Sequence, residues 1–120
     1  MASLLVHITH GPETPSQAAL GMLVARTALD EGHDVTVFLA AEGVNMIRDS
    51  VLDSTQGVGL GSTREHFDAI ASAGGRFYVS KMSSMARGVA EGDLDGKPAQ
   101  FATPSDLVRV TLESDRALTY

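Results

Sequence analysis

Residues 3–40 read SLLVHITHGPETPSQAALGMLVARTALDEGHDVTVFLA, and this stretch decides the fold class. Ser3–Thr9 is predicted to form a strand that is covered on both faces, because its residues are mostly apolar or β-branched without strict alternation. After the break at residues 10–13, Thr14 and Pro15 predict the start of a helix, with the Thr14 hydroxyl as its cap. The helix is expected to end near Glu31, with the next residue, Gly32, in the left-handed conformation. The stretch therefore predicts a strand–helix–strand unit that closes with the segment 34–40.

The remainder of the chain continues this alternation of strands and helices. Further helices are predicted over about 42–52, 62–73, 82–87 and 103–113, and further strands over 76–80, 100–102 and 117–120. The segment 54–61 is a glycine-rich link, and the segment 90–97 is acidic and rich in turn residues. Strands that alternate with helices over short links predict a single α/β domain over residues 1–120, with a parallel sheet and helices on both faces.

Composition excludes several classes of protein. The 120 residues contain no cysteine, which excludes disulfides, thiolate metal sites and cysteine catalysis within this chain. Nine Lys and Arg residues against fifteen Asp and Glu residues give a net charge of −6, which argues against binding to a nucleic-acid backbone. No segment approaches the roughly 20 apolar residues of a membrane span, and the first residues lack the basic start of a secretory signal. We therefore expect a cytoplasmic protein with no membrane association.

The first helix indicates self-association. Between Ala18 and Leu29 the only charged side chain is Arg26, so the helix is apolar almost all round. An outer helix of a monomer needs only one buried face, and a second apolar face favours a partner surface. The alternative is that loops of the same chain cover this helix.

Polar side chains gather where the predicted strands end, which is the edge where parallel sheets bind ligands. The residues expected to form a ligand-binding site there are Thr9, His10, Glu42, Ser80, Ser83 and Arg87. Glu13, Lys81 and Ser84 are further polar residues of the same loops. His10 is the best candidate for a general acid or base, because a partly exposed imidazole titrates near neutral pH. The alternative is a loop histidine that bonds only to the backbone.

The other histidines are given structural roles. His7 lies within the first strand and is expected in the core or at an interface. His33 is expected to support a turn, and His66 is expected to be solvated in the first turn of a helix. No histidine pair has the close helical spacing of zinc enzymes, so neither a metal nor a cofactor is predicted.

Two other motifs do not meet the requirements of the chemistry they suggest. The run GVGLGS at 57–62 has serine where the G-x-G-x-x-G fingerprint requires its last glycine, and it connects two predicted helices, so a linker is the favoured interpretation. The serines of SKMSS at 80–84 are not in a G-x-S-x-G elbow, so capping of the next helix by Ser80 or Ser83 is favoured over nucleophilic catalysis. Backbone N–H groups at that helix start, with Arg87 nearby, could also hold a small anion.

The chain resembles the DsrE/DsrF-like (YchN-like) family of small α/β proteins associated with sulfur relay. The run HITHGPETPSQAALGMLVARTALDEGHDVTVFLAAEGV at 7–44 is similar to the family's first strand, T-H-G-x-x-x-P loop, long helix and second strand. The run VLDSTQGVGLGSTREHFDAIASAGGRFYVSKMSSMARGV at 51–89 is similar to its middle segment, which ends in A-R-G. The resemblance implies a three-layer α/β/α sandwich around a five-stranded parallel sheet, and assembly as homotrimers or homohexamers.

The same resemblance implies a functional loop after the third strand, and there the chain departs from the family. Sulfur-handling members carry C-x-x-C where this sequence has Ser80 and Ser83. A persulfide carrier needs a thiolate, and a serine hydroxyl forms no stable equivalent. The favoured function is therefore an oligomeric module that binds a small polar or anionic ligand or docks a partner such as a DsrE-like paralogue. The alternative is an enzyme of different, hydrolase-like chemistry with His10 as its base.

Overall fold

All 120 residues are described by the structure, a computed structural model, and they form one α/β domain around a five-stranded sheet. The strands are β1 (Ser3–Ile8), β2 (Asp34–Leu39), β3 (Arg76–Ser80), β4 (Ala99–Ala102) and β5 (Arg116–Thr119). The helices are α1 (Pro15–Asp30), α2 (Asp49–Ser54), α3 (Thr63–Ser72), α4 (Lys81–Arg87) and α5 (Pro104–Glu113), with 3₁₀ segments at Ala41–Ile47 and Glu91–Leu94. No helix is long and apolar enough to cross a bilayer.

The sheet is parallel throughout, with strand order β4-β3-β2-β1-β5. The chain steps outward from β1 to β4 and then returns through α5 to the far side of β1. All carboxyl ends of the strands consequently lie at one edge of the sheet, as the strand–helix alternation predicts. This result confirms the predicted parallel sheet.

The two faces of the sheet carry unequal layers. The larger core joins strand residues such as Val37 and Phe77 to α1, α2 and α3, and it holds 17 buried residues. The smaller core of four residues, Leu5, Phe38, Ala102 and Val110, lies under α5. Because α5 has only 10 residues, it covers the second face in part. Helices on both faces confirm the predicted three-layer sandwich.

Most predicted boundaries agree with the structure, but the helix predicted over 42–52 is wrong. The segment forms a 3₁₀ helix over Ala41–Ile47, then an extended residue at Arg48 (ψ 133°), and then α2. The Asn45 side chain donates to the Glu42 carbonyl oxygen at 3.2 Å, and such local bonding competes with regular α-helix. Gly43 is pressed against the end of β1, where an added Cβ would collide with the Ile8 carbonyl oxygen. Tertiary packing therefore overrides the helical spacing of the apolar residues.

Two side-chain expectations are corrected, for Thr14 and His66, and the role of His33 is extended. The Thr14 hydroxyl makes no capping bond at the start of α1 and bonds to His10 and Glu13 instead. His66 is buried, not solvated: its Nε2 lies 2.6 Å from the Leu60 carbonyl oxygen, because the 54–61 link folds over it. His33 accepts a bond from the backbone N–H of Ala2, so it holds the start of the chain as well as following a turn.

Candidate functional site

The loops at the carboxyl edge of the sheet pack directly on one another. Gly11, after β1, lies against the backbone of Glu42, after β2, and an added Cβ would collide with the Glu42 carbonyl oxygen. Gly43 makes the corresponding contact with the carbonyl oxygen of Ile8. A side chain at either position would force the two loops apart. Glycine thus brings the ends of β1 and β2 close enough for their polar groups to form one site.

The first group of polar residues is centred on His10. Its Nδ1 lies 3.0 Å from Oε2 of Glu13 and 2.9 Å from the Thr14 hydroxyl. Oε1 of Glu13 accepts the Gly11 N–H at 2.7 Å, which holds the carboxylate in place. Since a carboxylate can only accept, Nδ1 donates to Glu13, and in the neutral imidazole Nε2 then has a free lone pair. The arrangement orients an imidazole with Nε2 as its proton acceptor.

The pKa of Glu13 reflects this environment. Burial of the carboxyl opposes its ionisation, but the hydrogen bonds from the backbone N–H of Gly11 and from the side chains of His10 and Thr14 outweigh burial. The pKa of Glu13 is therefore held below its ordinary value, and the group is ionised at neutral pH.

The second group of polar residues is built on α4. The Ser80 hydroxyl accepts the Ser83 N–H at 3.2 Å and caps the helix, as the sequence predicts, and Gly88 ends α4 with φ 71°. The Ser83 hydroxyl accepts the N–H of Ala41 at 2.9 Å and so ties α4 to the loop after β2. Each hydroxyl keeps its own proton free to donate. Both serines combine a structural bond with an available donor.

Arg87 and Glu42 form an ion pair between α4 and the loop after β2. Nε and Nη2 of Arg87 donate to the same carboxylate oxygen, Oε1, at 3.0 and 2.6 Å, while Nη1 donates to the Ser83 carbonyl oxygen at 3.2 Å. The hydrogen bond from Arg87 lowers the pKa of Glu42, and the pKa of Arg87 is raised in turn. The second oxygen of Glu42 is left free to accept a bond from a ligand. An anion would have to displace Glu42 to reach the guanidinium.

Of the predicted residues, Thr9 is the one whose hydrogen-bonding groups are already committed to the fold. Its hydroxyl and its N–H both point to the carbonyl oxygen of Tyr120, at 3.0 and 2.8 Å, which fastens the end of the chain beside β1. Five other predicted side chains have a hydrogen-bonding or charged group at the edge: His10, Glu42, Ser80, Ser83 and Arg87. No His, Asp and Glu residues cluster as a metal site.

Sequence reasoning did not assign roles to three residues that support this edge. Glu13 belongs to the predicted polar loops, and its spacing of three residues from His10 is the signal that could have identified it. Arg48 donates to the Arg87 carbonyl oxygen at 3.1 Å and fixes the end of α4. Ala41 has φ 50°, a conformation that non-glycine residues seldom adopt and that accumulates at functional sites. Neither of the last two has a signal in the sequence, because both depend on contacts between distant segments.

The edge is an open surface. The molecule has four cavities, and none of them is lined by any of the six predicted site residues. Side-chain exposures of 44% for Glu42 and 27% for Arg87 agree with groups that face solvent. Small-ligand sites usually enclose most of the ligand, so this edge in a single chain offers only part of such an enclosure.

Comparison with known proteins places this geometry in a family. The model of the DsrE/DsrF-like family matches residues 2–120. The chain belongs to the DsrE/DsrF-like family. Its fold is also similar to the crystal structure of the YchN protein from E. coli, with a TM-score of 0.79, 14% identity and coverage of 100% of both chains. A comparison with curated proteins found no match.

The end of β3 in this chain carries serine hydroxyls. Ser80 and Ser83 occupy the start of α4 and both accept backbone N–H groups there. The chain contains no cysteine that could form a persulfide at this or any other position. The scaffold of the family is present, and the chemistry at the edge is that of hydroxyls, one imidazole and one ion pair.

Proposed function

We propose that this protein is an oligomeric module that binds a small polar or anionic ligand at the carboxyl edge of its sheet. The observation that carries the proposal is the pairing of Arg87 with Glu42 beside two serine hydroxyls whose protons are free. Together these groups offer donors from the serines, an acceptor on Glu42 and a cation that can be released to an anion. Membership of the DsrE/DsrF-like family supports the relation to sulfur-relay proteins, while the serines support a role other than carrying a persulfide.

The open edge of a single chain is the observation that favours assembly. A second copy placed against it would supply the missing walls. The exposed large apolar residues of the helices and of β5 are available for such contacts: Leu20, Met82, Met85, Val108, Leu112 and Leu118. We propose a homotrimer or homohexamer; a mixed complex with a DsrE-like paralogue is the alternative assembly. The protein is proposed to act in the cytoplasm.

The binding test measures how substitutions in the Glu42–Arg87 ion pair change the affinity for two probes. Thiosulfate is the anionic probe and glycerol is the neutral one. Glu42→Gln removes the competing carboxylate, so it should strengthen binding of thiosulfate about tenfold, whereas Arg87→Gln should abolish it. A neutral ligand that uses the Glu42 acceptor should instead bind more weakly to Glu42→Gln. Isothermal titration calorimetry measures both, with Arg116→Gln as the control for loss of one surface charge. The proposal fails if neither probe responds to either substitution.

Native mass spectrometry of the purified protein tests assembly and ligand together. We expect a trimer or hexamer, with any retained molecule lost from Arg87→Gln. Incubation with a persulfide donor should add no sulfur to the chain. A stable added sulfur atom, or a monomer at all concentrations, would contradict the proposal.

One observation favours a second candidate function, that of an enzyme with His10 as its base. Glu13 orients the imidazole as a carboxylate orients the histidine of many hydrolases, which leaves Nε2 available for a proton. Turnover in a panel of ester and amide substrates, lost in His10→Ala and reduced in Glu13→Gln, would support this candidate. Unchanged ligand affinity in His10→Ala, without turnover by the wild type, would exclude it.

A further inference from the structure

A second polar site lies at the opposite edge of the sheet, under α5. A cavity of about 180 Å³ opens there between the amino ends of the strands and the last turns of the helix. Its polar lining includes Arg76 and Tyr78 from β3, Thr36 from β2 and Arg109 from α5. The cavity exists because α5 is too short to cover the whole second face of the sheet. It is separated from the candidate functional site by the length of the strands.

Arg76 is the arginine in this cavity that forms no ion pair. It has no carboxylate oxygen within 4.0 Å, and its nearest polar partner is the Thr36 hydroxyl at 3.5 Å. By contrast Arg26, Arg48, Arg64, Arg87 and Arg109 all take part in ion pairs. Thr36 is buried, with 7% of the residue exposed, so one wall of the site is a threonine beside a guanidinium that has no carboxylate partner.

Arg109 brings a second guanidinium to the same cavity. Its ion pairs with Asp106 and Glu113, at 3.4 and 3.6 Å, are long and lie along its own exposed helix, where such pairs are weak. The hydrogen bond with Asp106 raises the pKa of Arg109, with a further contribution from the side chain of Tyr78. Two arginines and a tyrosine therefore line one small volume.

We propose that this cavity binds a small oxyanion, of the carboxylate or phosphate type. Arginine presents paired donors that match two oxygens of such a group, and the hydroxyls of Thr36 and Tyr78 can complete its hydrogen bonds. The volume is large enough for a single phosphate or a short carboxylate. Asp34 and Glu113 also line the opening, so they select against larger polyanions and admit a ligand that carries a positive group as well.

The test is a titration of the full-length protein with inorganic phosphate at constant ionic strength, followed by amide chemical shifts. We expect saturable shifts at Thr36, Arg76 and Arg109. Arg76→Gln and Arg109→Gln should each weaken binding about tenfold or more, as expected for loss of a charge-assisted hydrogen bond. Arg116→Gln removes an arginine that lies outside the cavity and should change the affinity by less than about twofold. A parallel titration with acetate distinguishes a carboxylate from a phosphate preference.

Each other outcome overturns the proposal. Shifts spread over the surface, or no saturation with either anion, would show that the cavity is not a site. Shifts centred on Ser83 and Arg87 would place the anion at the carboxyl edge instead. Equal loss of affinity in Arg116→Gln would indicate general charge attraction. Thermal unfolding of each variant, expected to stay close to that of the wild type because Arg76 and Arg109 are exposed, checks that the fold is kept.

Discussion

At the scale of single residues, the carboxyl edge depends on groups that serve the fold and a ligand at once. Ser80 and Ser83 accept backbone N–H groups with their oxygens and keep their protons available. Arg87 likewise ties α4 to the loop after β2 through Glu42. Substitutions at the serines should therefore change stability even in the absence of a ligand.

Ser83→Ala tests this dual role. The substitution removes the acceptor for the Ala41 N–H, which holds a residue in the left-handed conformation, so we expect a loss of about 1–2 kcal/mol in the free energy of unfolding. Ser105→Ala on the exposed face of α5 is the control and should stay within about 0.5 kcal/mol. Urea unfolding measures both. Equal effects of the two variants would show that the Ser83 bond contributes nothing specific.

His7 should make the fold sensitive to acid. Burial lowers the pKa of His7, and its Nε2 is buried without a hydrogen-bond partner. The unfolded chain takes up a proton near pH 6.5 but the folded chain only at lower pH, so stability falls as the pH drops through that value. His7→Leu should show a shallower loss of unfolding free energy between pH 7.5 and pH 5.5 than the wild type. Chemical denaturation at several pH values measures the slope, and identical slopes would contradict this prediction.

At the scale of secondary-structure elements, close approach of two loops decides the conformation of the 3₁₀ segment Ala41–Ile47. Gly43 lies against the end of β1 with no room for a side chain. The same contact positions Glu42 for its bond to Arg87. The element is thus shaped by its neighbour and not by its own helical propensity.

Gly43→Ala tests that statement. The added methyl group would collide with the Ile8 carbonyl oxygen, and we expect a loss of about 1–3 kcal/mol in the free energy of unfolding together with weaker ligand binding at the edge. Gly92→Ala is the matched control, because it also lies in a 3₁₀ segment and its added Cβ would meet no atom within 4 Å. Guanidinium unfolding compares the two. Equal stability of both variants would refute the proposed role of Gly43.

The helix starts show how far local patterns predict detail. The sequence TPSD at 103–106 begins α5. There the Thr103 hydroxyl accepts the Asp106 N–H, and the Asp106 carboxylate accepts the Thr103 N–H. At α1 a threonine followed by a proline also predicts the start of the helix correctly, but the Thr14 hydroxyl bonds to His10 and Glu13. Local sequence predicts where a helix begins, while competing partners from the surrounding loop decide what its first side chain does.

At the scale of the whole molecule, exposed apolar side chains concentrate on short helices. Val108 and Leu112 are 59% and 80% exposed and lie one helical turn apart on α5. Met82 and Met85 on α4 are 70% and 75% exposed. On α1, which the sequence favours as a partner surface, Leu20 is 37% exposed and five residues are buried in the protein's own core. The proposed assembly therefore has more apolar surface to bury on α4 and α5 than on α1.

Leu112→Glu tests which surface mediates assembly. If α5 packs against a second copy, the introduced charge should lower the mass measured by light scattering toward that of one chain, because burying an unpaired carboxylate is unfavourable. Val58→Glu, at an exposed position on the link between α2 and α3, is the control and should leave the mass unchanged. An unchanged assembly in Leu112→Glu would exclude α5 and leave α4 or α1 as the interface, where Met85→Glu and Leu20→Glu are the corresponding variants.

The sequence by itself determined the class of fold, the family and the absence of cysteine chemistry, because hydrophobic periodicity, turn residues and residue types are local properties. It also placed five of the site's polar side chains at one edge, since parallel strands share the direction in which they end. Only the tertiary structure decided that Glu13 orients His10, that Glu42 neutralises Arg87, that His66 is buried, and that Arg76 is left without a carboxylate. Those outcomes depend on distances between segments far apart in the chain, and a distance of a few ångströms decides whether two charges form a pair or remain free.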